Sequence, residues 1–293
     1  QKLELLCNFN VSNETANYGS IERKTLIKLL KDSALKNKSI TVHNAYIKHI
    51  ISNNEMNEII DENENIFESK SIIGADSING VSRKFVMGSE SRSKHKKIFR
   101  GISFNYNSYQ LARNSLQLII TSDGHFVIYP TIINKKRAIN YIFVPKDNKF
   151  QPPVIQDKIL SYLIPNDINW KITFSSNICK ENNMIHKNGV FLVGDAGTSM
   201  PPHIAQAGNQ ILEDAVFIKE LLTEKNDFDQ MISLFIKERY IKKNIIAKKS
   251  RTVGKILSAQ KLIGKFRNLS LKSYGNDIVK GILNPIWMSN VNE

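Results

Sequence analysis

Apolar positions recur at helical spacing in three segments of the chain. In the first segment, residues 20–34, one face carries Leu26, Leu29, Leu30 and Ala34, and Ser20 stands where an N-cap is expected. The second segment, residues 206–222, is predicted as a helix with one apolar stripe, formed by Ile211, Ala215, Ile218 and Leu222. A third helix is predicted over residues 228–249, and it carries Ile232, Phe235, Ile236 and Tyr240.

Short β-branched and apolar runs predict strands between these helices. They cover residues 39–43, 46–51, 58–60, 66–67, 71–76, 116–121, 125–129 and 138–144. A polar Asp-Glu-Asn-Glu-Asn turn joins the third and fourth runs as a hairpin, and Ser122-Asp123-Gly124 joins the sixth and seventh. One more apolar strand, residues 189–193, runs into Gly194-Asp195. The pattern is compatible with a mixed α/β fold.

Size and composition exclude some classes of protein. At 293 residues with 41% hydrophobic residues, the chain can bury a substantial core, and no apolar run is long enough to span a bilayer. Two cysteines, Cys7 and Cys179, form no disulfide framework, which favours a reducing, cytoplasmic setting. The six histidines have no metal-ligand spacing, so no metal site is expected. His203 could contact a substrate, but we interpret it in preference as a structural or exposed residue.

The net charge of +14 raises the question of a polyanion partner. The densest basic stretch, residues 237–265, includes Lys242-Lys243 and Lys248-Lys249. We interpret it as the solvated face of a helix in preference to a polyanion site, because no zinc-finger spacing or RNA-binding motif accompanies it.

The segment after Gly194 combines features that a large polar cofactor needs. Asp195 places a carboxylate at a strand end, where it can accept hydrogen bonds from sugar-like hydroxyls. A loop with Pro201-Pro202 follows, and small residues then open a helix, whose backbone N–H groups stabilise negative charge. The segment resembles the second flavin-binding motif of the class A FAD-dependent aromatic hydroxylases, and residues 205–215 are most similar to the salicylate-hydroxylase-type branch.

The resemblance implies roles for the residues of this segment. Asp195, after Gly194, would hydrogen-bond the ribityl hydroxyls of FAD, and Pro202 would shape the loop beside the isoalloxazine ring. Backbone N–H groups of three residues would face the N1–C2=O edge of the flavin: Ala207, Gly208 and Asn209. Two departures are a threonine, Thr198, in place of the common histidine and the reversed order of Ala207-Gly208.

Two other segments resemble family motifs. Gly74, Ala75, Asp76 and Arg83 match a motif that lies near the FAD pyrophosphate and is tied to the nicotinamide nucleotide. Within that motif Ser77 replaces glycine, which restricts the backbone if the site needs a positive φ, and Gly80 replaces serine. The segment from Ile21 to Leu30 resembles the helix whose arginine, here Arg23, reaches the ribityl–phosphate side of the flavin.

The resemblance also implies the architecture. We expect a Rossmann-like FAD-binding domain with an inserted mixed β-sheet substrate domain and C-terminal helices. The expected boundaries are 1–86 and 176–222 for the FAD-binding domain, 87–175 for the substrate domain and 223–293 for the helical region. The strand–Gly-x-Gly-x-x-Gly–helix unit that opens the family is absent from the sequence, so we expect an FAD-binding domain that is incomplete at its N-terminus, in a fragment of a longer enzyme.

The function implied is an FAD-dependent monooxygenase that uses NADH or NADPH and O2. It would hydroxylate an aromatic, phenolic small molecule through a flavin C4a-hydroperoxide, with an acid/base residue that the sequence does not identify. One alternative is a flavin-dependent reductase or dehydrogenase on the same fold. Another is a truncated, non-catalytic relative with a basic polyanion- or membrane-binding surface. No nucleic acid is expected as a partner; a homodimer and peripheral membrane contact remain open.

Overall fold

A computed structural model gives the fold of the chain. It describes residues 4–9, 19–53, 55–88, 93–105, 115–147, 151, 153, 158–166, 168–178, 184–224 and 227–287. The chain forms two compact units. The first comprises residues 1–43, 96–175 and 255–281, and the second comprises residues 44–95, 176–254 and 282–293. Cys179 lies outside the described residues. No helix in the described ranges is long and apolar enough to cross a membrane.

Strands and helices both contribute to the fold. The strands are β1 (Ile47–Asn53), β2 (Met56–Asp61), β3 (Ile66–Ser69), β4 (Ile72–Gly74), β5 (Ser93–Ser103), β6 (Gln117–Ile120), β7 (Gly124–Ile133), β8 (Lys136–Pro145), β9 (Lys171–Ile178), β10 (His186–Lys187) and β11 (Val190–Leu192). The α-helices are α1 (Arg23–Ala34), α2 (Val81–Met87), α3 (Lys158–Leu163), α4 (Gly194–Gly197), α5 (Ala207–Thr223), α6 (Phe228–Phe235), α7 (Ile241–Leu257) and α8 (Lys261–Trp287). A 3-10 turn covers Pro202–Ile204, and a π-helical turn, Ile236–Tyr240, joins α6 to α7. Tyr274 has non-helical dihedral angles (φ −132°, ψ 23°) and divides α8 into two limbs.

A five-stranded sheet in the order β6-β7-β8-β5-β9 forms the first unit. Its centre is the antiparallel β7–β8 hairpin, which pairs from Gly124 and Pro145 to Ile133 and Lys136. Because both faces of the hairpin carry apolar residues, each face buries its own core. One core contains Phe99, Phe126, Ile128, Ile139, Tyr141, Phe143, Ile164 and Ile168. The other contains Ile98, Val127, Ile142 and Val144.

Two small sheets form the second unit. β1, β2 and β3 make an antiparallel meander, while β10, β11 and β4 make a sheet in which β4 and β11 run parallel. The buried residue Phe191 of β11 lies at the centre of the core, where its ring meets that of Phe235 edge-on at 5.0 Å between centroids. Because β4 and β11 are parallel, the chain segments that follow them leave the sheet at the same edge.

Most elements expected from the sequence are present, including the hairpins after residues 58–60 and 116–121. The expected strand at residues 39–43 is wrong, because Ile40 and Val42 are exposed there and no strand among the described residues pairs with them. Ser20 is not an N-cap: α1 begins after Glu22, and the hydroxyl of Ser20 donates to the carbonyl oxygen of Pro130 at 2.8 Å.

Candidate functional site

The second unit brings two carboxylates to one edge of its parallel strands. β4 ends at Gly74 and β11 ends at Leu192, and these residues lie opposite each other. Asp76 follows the first strand and Asp195 follows the second, and both are exposed. Because ligands of open α/β sheets bind beyond the carboxyl ends of the strands, this edge is the candidate functional site.

The carboxylate of Asp76 is engaged by the chain itself. Its Oδ2 accepts the backbone N–H of Ser82 at 2.8 Å, and its Oδ1 accepts the hydroxyl of Ser82. These bonds cap the first turn of α2. Ser77, the next residue, has a φ of +74°, so the position where the related motif has glycine does adopt the left-handed conformation. Asp76 therefore shapes the turn between β4 and α2, and its contact with a nucleotide stays a prediction.

Arg83 connects the two segments that follow the parallel strands. This residue of α2 is buried, and its guanidinium Nη1 donates to the carbonyl oxygen of Ala196 in α4. A buried arginine is held by such bonds to backbone oxygens because its charge must be compensated away from water. The motif residue Arg83 thus fixes α4, which contains Asp195, against α2.

Helix α7 holds the loop that carries Pro202. The hydroxyl of Ser250, which is fully buried, donates to the carbonyl oxygen of Pro201 at 2.7 Å. Gly254 leaves room for the imidazole of His203, since a Cβ built at Gly254 would lie 2.3 Å from Nε2. His203 therefore packs against α7, which agrees with its interpretation as a structural residue. The loop is held in position by this helix, although the two are far apart in the sequence.

The loop buries polar atoms that lack partners in the described chain. The hydroxyl oxygen of Thr198 and Oε1 of Gln206 are buried, and neither has a hydrogen-bond partner among the described residues. A buried polar group left without a hydrogen bond costs about 1–3 kcal/mol. Ala205, which precedes Gln206, adds a left-handed conformation with a φ of +53°. A polar ligand that bonded these two atoms would remove that cost.

The start of α5 carries backbone N–H groups that can meet a negative charge. Gln206 is its N-cap residue but makes no side-chain capping bond. The first-turn residues are Ala207, Gly208 and Asn209, and the N–H groups of a first helical turn have no partner within the helix. Together they carry about half a positive charge. The side chain of Asn209 turns away along the helix, where its Nδ2 donates to Glu213 Oε1 at 2.7 Å.

Further along α5, five charged residues form a largely buried ion cluster. Its members are Glu213, Asp214, Arg239, Lys242 and Lys243. Asp214 accepts from Nζ of Lys243 at 2.6 Å and from Nε of Arg239 at 3.1 Å. Glu213 accepts from Arg239 at 2.7 Å and from Lys242 at 3.5 Å. The cluster ties α5 to the π-helical turn, which contains Arg239, and to α7.

The ion cluster corrects two sequence-based expectations. The apolar stripe expected on α5 is wrong at three of its four positions: Ile218 is buried, but Ile211, Ala215 and Leu222 are exposed. The other buried residues are Gln210, Asp214 and Leu221. The helix turns this face inward because Asp214 must reach its two cations. Lys242 and Lys243 were expected on a solvated face, but both are buried. The sequence does contain a signal of the cluster: two adjacent acidic residues on one helix, and three cations on the next segment, where Lys242 and Lys243 follow Arg239 by three and four residues and so share its face.

The predicted cofactor-binding residues are divided between the two units. Seven of them lie in the second unit: Asp76, Gly194, Asp195, Pro202, Ala207, Gly208 and Asn209. Arg23 lies in the first unit, where it is an exposed residue at the start of α1. Their roles toward a flavin remain predictions. In the described part of the chain, no group of three or more histidine, cysteine or acidic residues could hold a metal ion.

No protein-family model matches the sequence, and no curated protein matches it significantly. Solved structures match the fold. A salicylate hydroxylase–substrate complex is 18% identical with a TM-score of 0.71, covering 92% of this chain and 73% of its own. Klebsiella pneumoniae HpxO, complexed with FAD and uric acid, is 15% identical with a TM-score of 0.71, covering 90% and 71%. The 2,6-dihydroxypyridine-3-hydroxylase from Arthrobacter nicotinovorans is 16% identical with a TM-score of 0.63, covering 73% and 64%.

Over most of its length, the chain therefore has the α/β fold of the class A FAD-dependent aromatic hydroxylases, with mixed sheets and C-terminal helices. It spans 64% of the Arthrobacter nicotinovorans enzyme. The resemblance inferred from the sequence motifs is confirmed as a structural match at low identity.

Proposed function

We propose that this chain belongs to an FAD-dependent, NAD(P)H-using monooxygenase that hydroxylates an aromatic, phenolic small molecule. The observation that carries the proposal is the loop from Gly194 to Gln206. This loop joins the carboxylate of Asp195, at the end of a parallel strand, to the uncapped start of α5. The loop is part of a fold that this chain shares with aromatic hydroxylases.

The loop residues fit the flavin end of FAD. Asp195 is exposed and can accept hydrogen bonds from ribityl hydroxyls. Thr198 and Gln206 bring buried polar atoms that lack partners in the described chain. The start of α5 offers N–H groups and positive charge to the edge of the ring. For the phosphate side we propose the turn at Asp76 in this unit. Arg23 belongs to the first unit, and its role toward the phosphates stays a separate prediction from the sequence. No Gly-x-Gly-x-x-Gly pattern occurs in residues 1–293, so no glycine-rich diphosphate loop is assigned.

FAD, when bound, would accept electrons from NADH or NADPH and activate O2, and the protein would position it. Asp195 would orient the ribityl chain by accepting hydrogen bonds from its hydroxyl groups. The N–H groups of Ala207, Gly208 and Asn209 would donate to the negatively charged edge of the reduced ring. The 3-10 turn at Pro202 would keep water from that side of the site, and α7 would hold the turn in place.

The first test is the visible absorption spectrum of the purified protein, made from the longest open reading frame that contains this sequence and again from residues 1–293. We expect flavin bands in the longer form. Asp195→Ala should weaken FAD binding about tenfold or more, because hydrogen bonds to a charged group are worth about 1.5–3 kcal/mol. Asp229→Ala, which removes an exposed carboxylate of α6 in the same unit, is the matched control and should bind FAD normally.

Oxygen consumption tests the reaction itself. With NADH and a phenolic probe such as salicylate, the holoenzyme should consume O2 only when the phenol is present. NADH oxidation with an artificial electron acceptor, without phenol-dependent O2 uptake, would instead favour the reductase alternative. A longer form that lacks flavin and does not bind added FAD would contradict the proposal.

A further inference from the structure

The first limb of α8, residues 261–273, presents its apolar residues to solvent. Four large apolar side chains, Leu262, Ile263, Phe266 and Leu269, are between 62% and 71% exposed. Their spacing places three of them in one row along the helix, with Ile263 beside the row. We call these four residues the α8 stripe. The usual pattern of a helix, with apolar residues inward and polar residues outward, is reversed here.

The opposite face of the helix is already occupied. Gly264 is buried there, and a Cβ built at Gly264 would lie 3.1 Å from the carbonyl oxygen of Ala259. Arg267 turns inward and donates to the carbonyl oxygens of Leu257 and Ala259, at 3.1 and 3.0 Å, where α7 ends. Because Gly264 and the bonds of Arg267 fix the inward face, this limb cannot rotate to bury its stripe without losing them.

The chain segment that carries the stripe is basic in sequence. No aspartate or glutamate occurs between Arg239 and Asn276. Lys261 and Lys265 are exposed on the same turns as the stripe. Lys272 is partly neutralised by Glu4, with which it forms an ion pair. An exposed apolar row bordered by lysines, with no acidic residue in the segment, is the composition of helices that lie in the interface of an anionic membrane.

We propose that the α8 stripe, with Lys261 and Lys265, docks this protein on the surface of an anionic lipid bilayer. The helix would lie in the plane of the interface, with Phe266 among the acyl chains and the lysines at the headgroups. A second copy of the chain fits this surface less well, because pairing two such helices would bring like charges together. A nucleic acid fits less well because the centre of the surface is apolar. The proposal is independent of flavin binding.

Flotation with lipid vesicles tests the proposal on the protein of residues 1–293 and on the longer form. The probes are vesicles of phosphatidylcholine with a quarter phosphatidylserine, and vesicles of phosphatidylcholine alone. We expect binding to the first at low salt, weaker binding to the second, and a decrease as NaCl is raised, because salt screens the surface charge. Lys261→Gln/Lys265→Gln should weaken binding about twenty-five-fold, from about fivefold for each lysine near the surface. Leu262→Asn/Phe266→Asn should abolish it.

Matched substitutions elsewhere in the first unit show whether the effect belongs to this helix. Ile132→Asn replaces an exposed isoleucine of β7, and Lys36→Gln/Lys38→Gln removes two exposed lysines after α1. Both controls should bind vesicles as the parent does, and all variants should keep their circular dichroism. No binding to anionic vesicles by a folded parent chain would overturn the proposal. Equal losses of vesicle binding in the control variants would also overturn it. A third contrary result would be a parent chain that does not bind vesicles and forms a dimer, seen by light scattering, that Leu262→Asn/Phe266→Asn dissociates.

Discussion

Replacing Asp214 by asparagine should be among the most damaging single changes to the second unit. Its carboxylate is 2% exposed and faces Lys243, which is 3% exposed, at 2.6 Å, and Arg239, which is 8% exposed, at 3.0 Å. Asp214→Asn keeps the shape but removes the charge, so two buried cations lose their shared anion. Removing one partner of a buried ion pair costs about 3–5 kcal/mol. Against a total stability of about 5–15 kcal/mol, that loss is a third or more of the total for many proteins.

Urea unfolding followed by far-ultraviolet circular dichroism measures this cost. The midpoint should fall by the stability loss divided by the slope, which is about 1–3 kcal/mol per molar urea for small proteins. Glu213→Gln is the control, because Glu213 shares Arg239 with Asp214 and also pairs with Lys242, while its side chain is 31% exposed. Water can replace part of its interaction, so its loss should cost about 1 kcal/mol or less.

A double variant separates the lost charge from other causes. Removing both members of a buried pair leaves no unpaired charge, so Asp214→Leu/Lys243→Met should be more stable than Asp214→Leu alone, by about 1–3 kcal/mol. An Asp214→Asn midpoint no lower than that of Glu213→Gln would refute the reasoning. So would a double variant that is as unstable as the sum of its single changes.

Three further predictions concern the turns of the second unit. Ser77→Gly should raise stability by about 1 kcal/mol, because glycine adopts the observed φ of +74° without strain; a lower urea midpoint would contradict this. Gly74→Ala should cost about 1–3 kcal/mol in the same assay, since a Cβ there would lie 2.1 Å from the hydroxyl of Ser82, and it should cost less when it is made in a Ser82→Gly background than in the parent. The side-chain bond from Asn65, with backbone bonds, holds the pKa of Asp61 below its usual 3.8. The stability that Asp61 contributes is therefore fully present above about pH 4, and it is lost as the pH falls through the lowered pKa of the folded protein. In an acid titration, the free energy of unfolding of Asp61→Asn should therefore decline less steeply than that of the parent.

Elements set by local pattern could be predicted from the sequence. Ser122-Asp123-Gly124 specifies a hairpin turn through its own backbone preferences, and it lies between β6 and β7 as expected. The segment from Gly194 to Asn209 likewise carried enough local information to indicate a loop and a helix start. Residues 39–43 failed because a β-branched run forms a strand only where another strand can pair with it.

The parts of the site that depend on distant contacts could not be predicted. The burial of Lys243 follows from Asp214, which lies on another helix. The spacing of Arg239, Lys242 and Lys243 places these cations on one face, but it does not show which acidic residues they meet. The hold of Ser250 on Pro201 is equally non-local. Helical spacing identifies which residues share a face of α5. It does not show whether the buried face is the one with Ile211 or the neighbouring one with Asp214, because the two sets of residues are offset by about one position.

The π-helical turn at Ile236–Tyr240 sets the phase of everything that follows it. Each residue of a helix advances it by about 100°, so deleting one residue here would restore an ordinary turn and rotate α7 by that angle. Lys243 would then point away from Asp214, and Ser250 would lose Pro201. The number of residues from Phe235 to Ser250 therefore matters to the site as directly as their side chains do, because it sets which face of α7 meets Asp214 and Pro201.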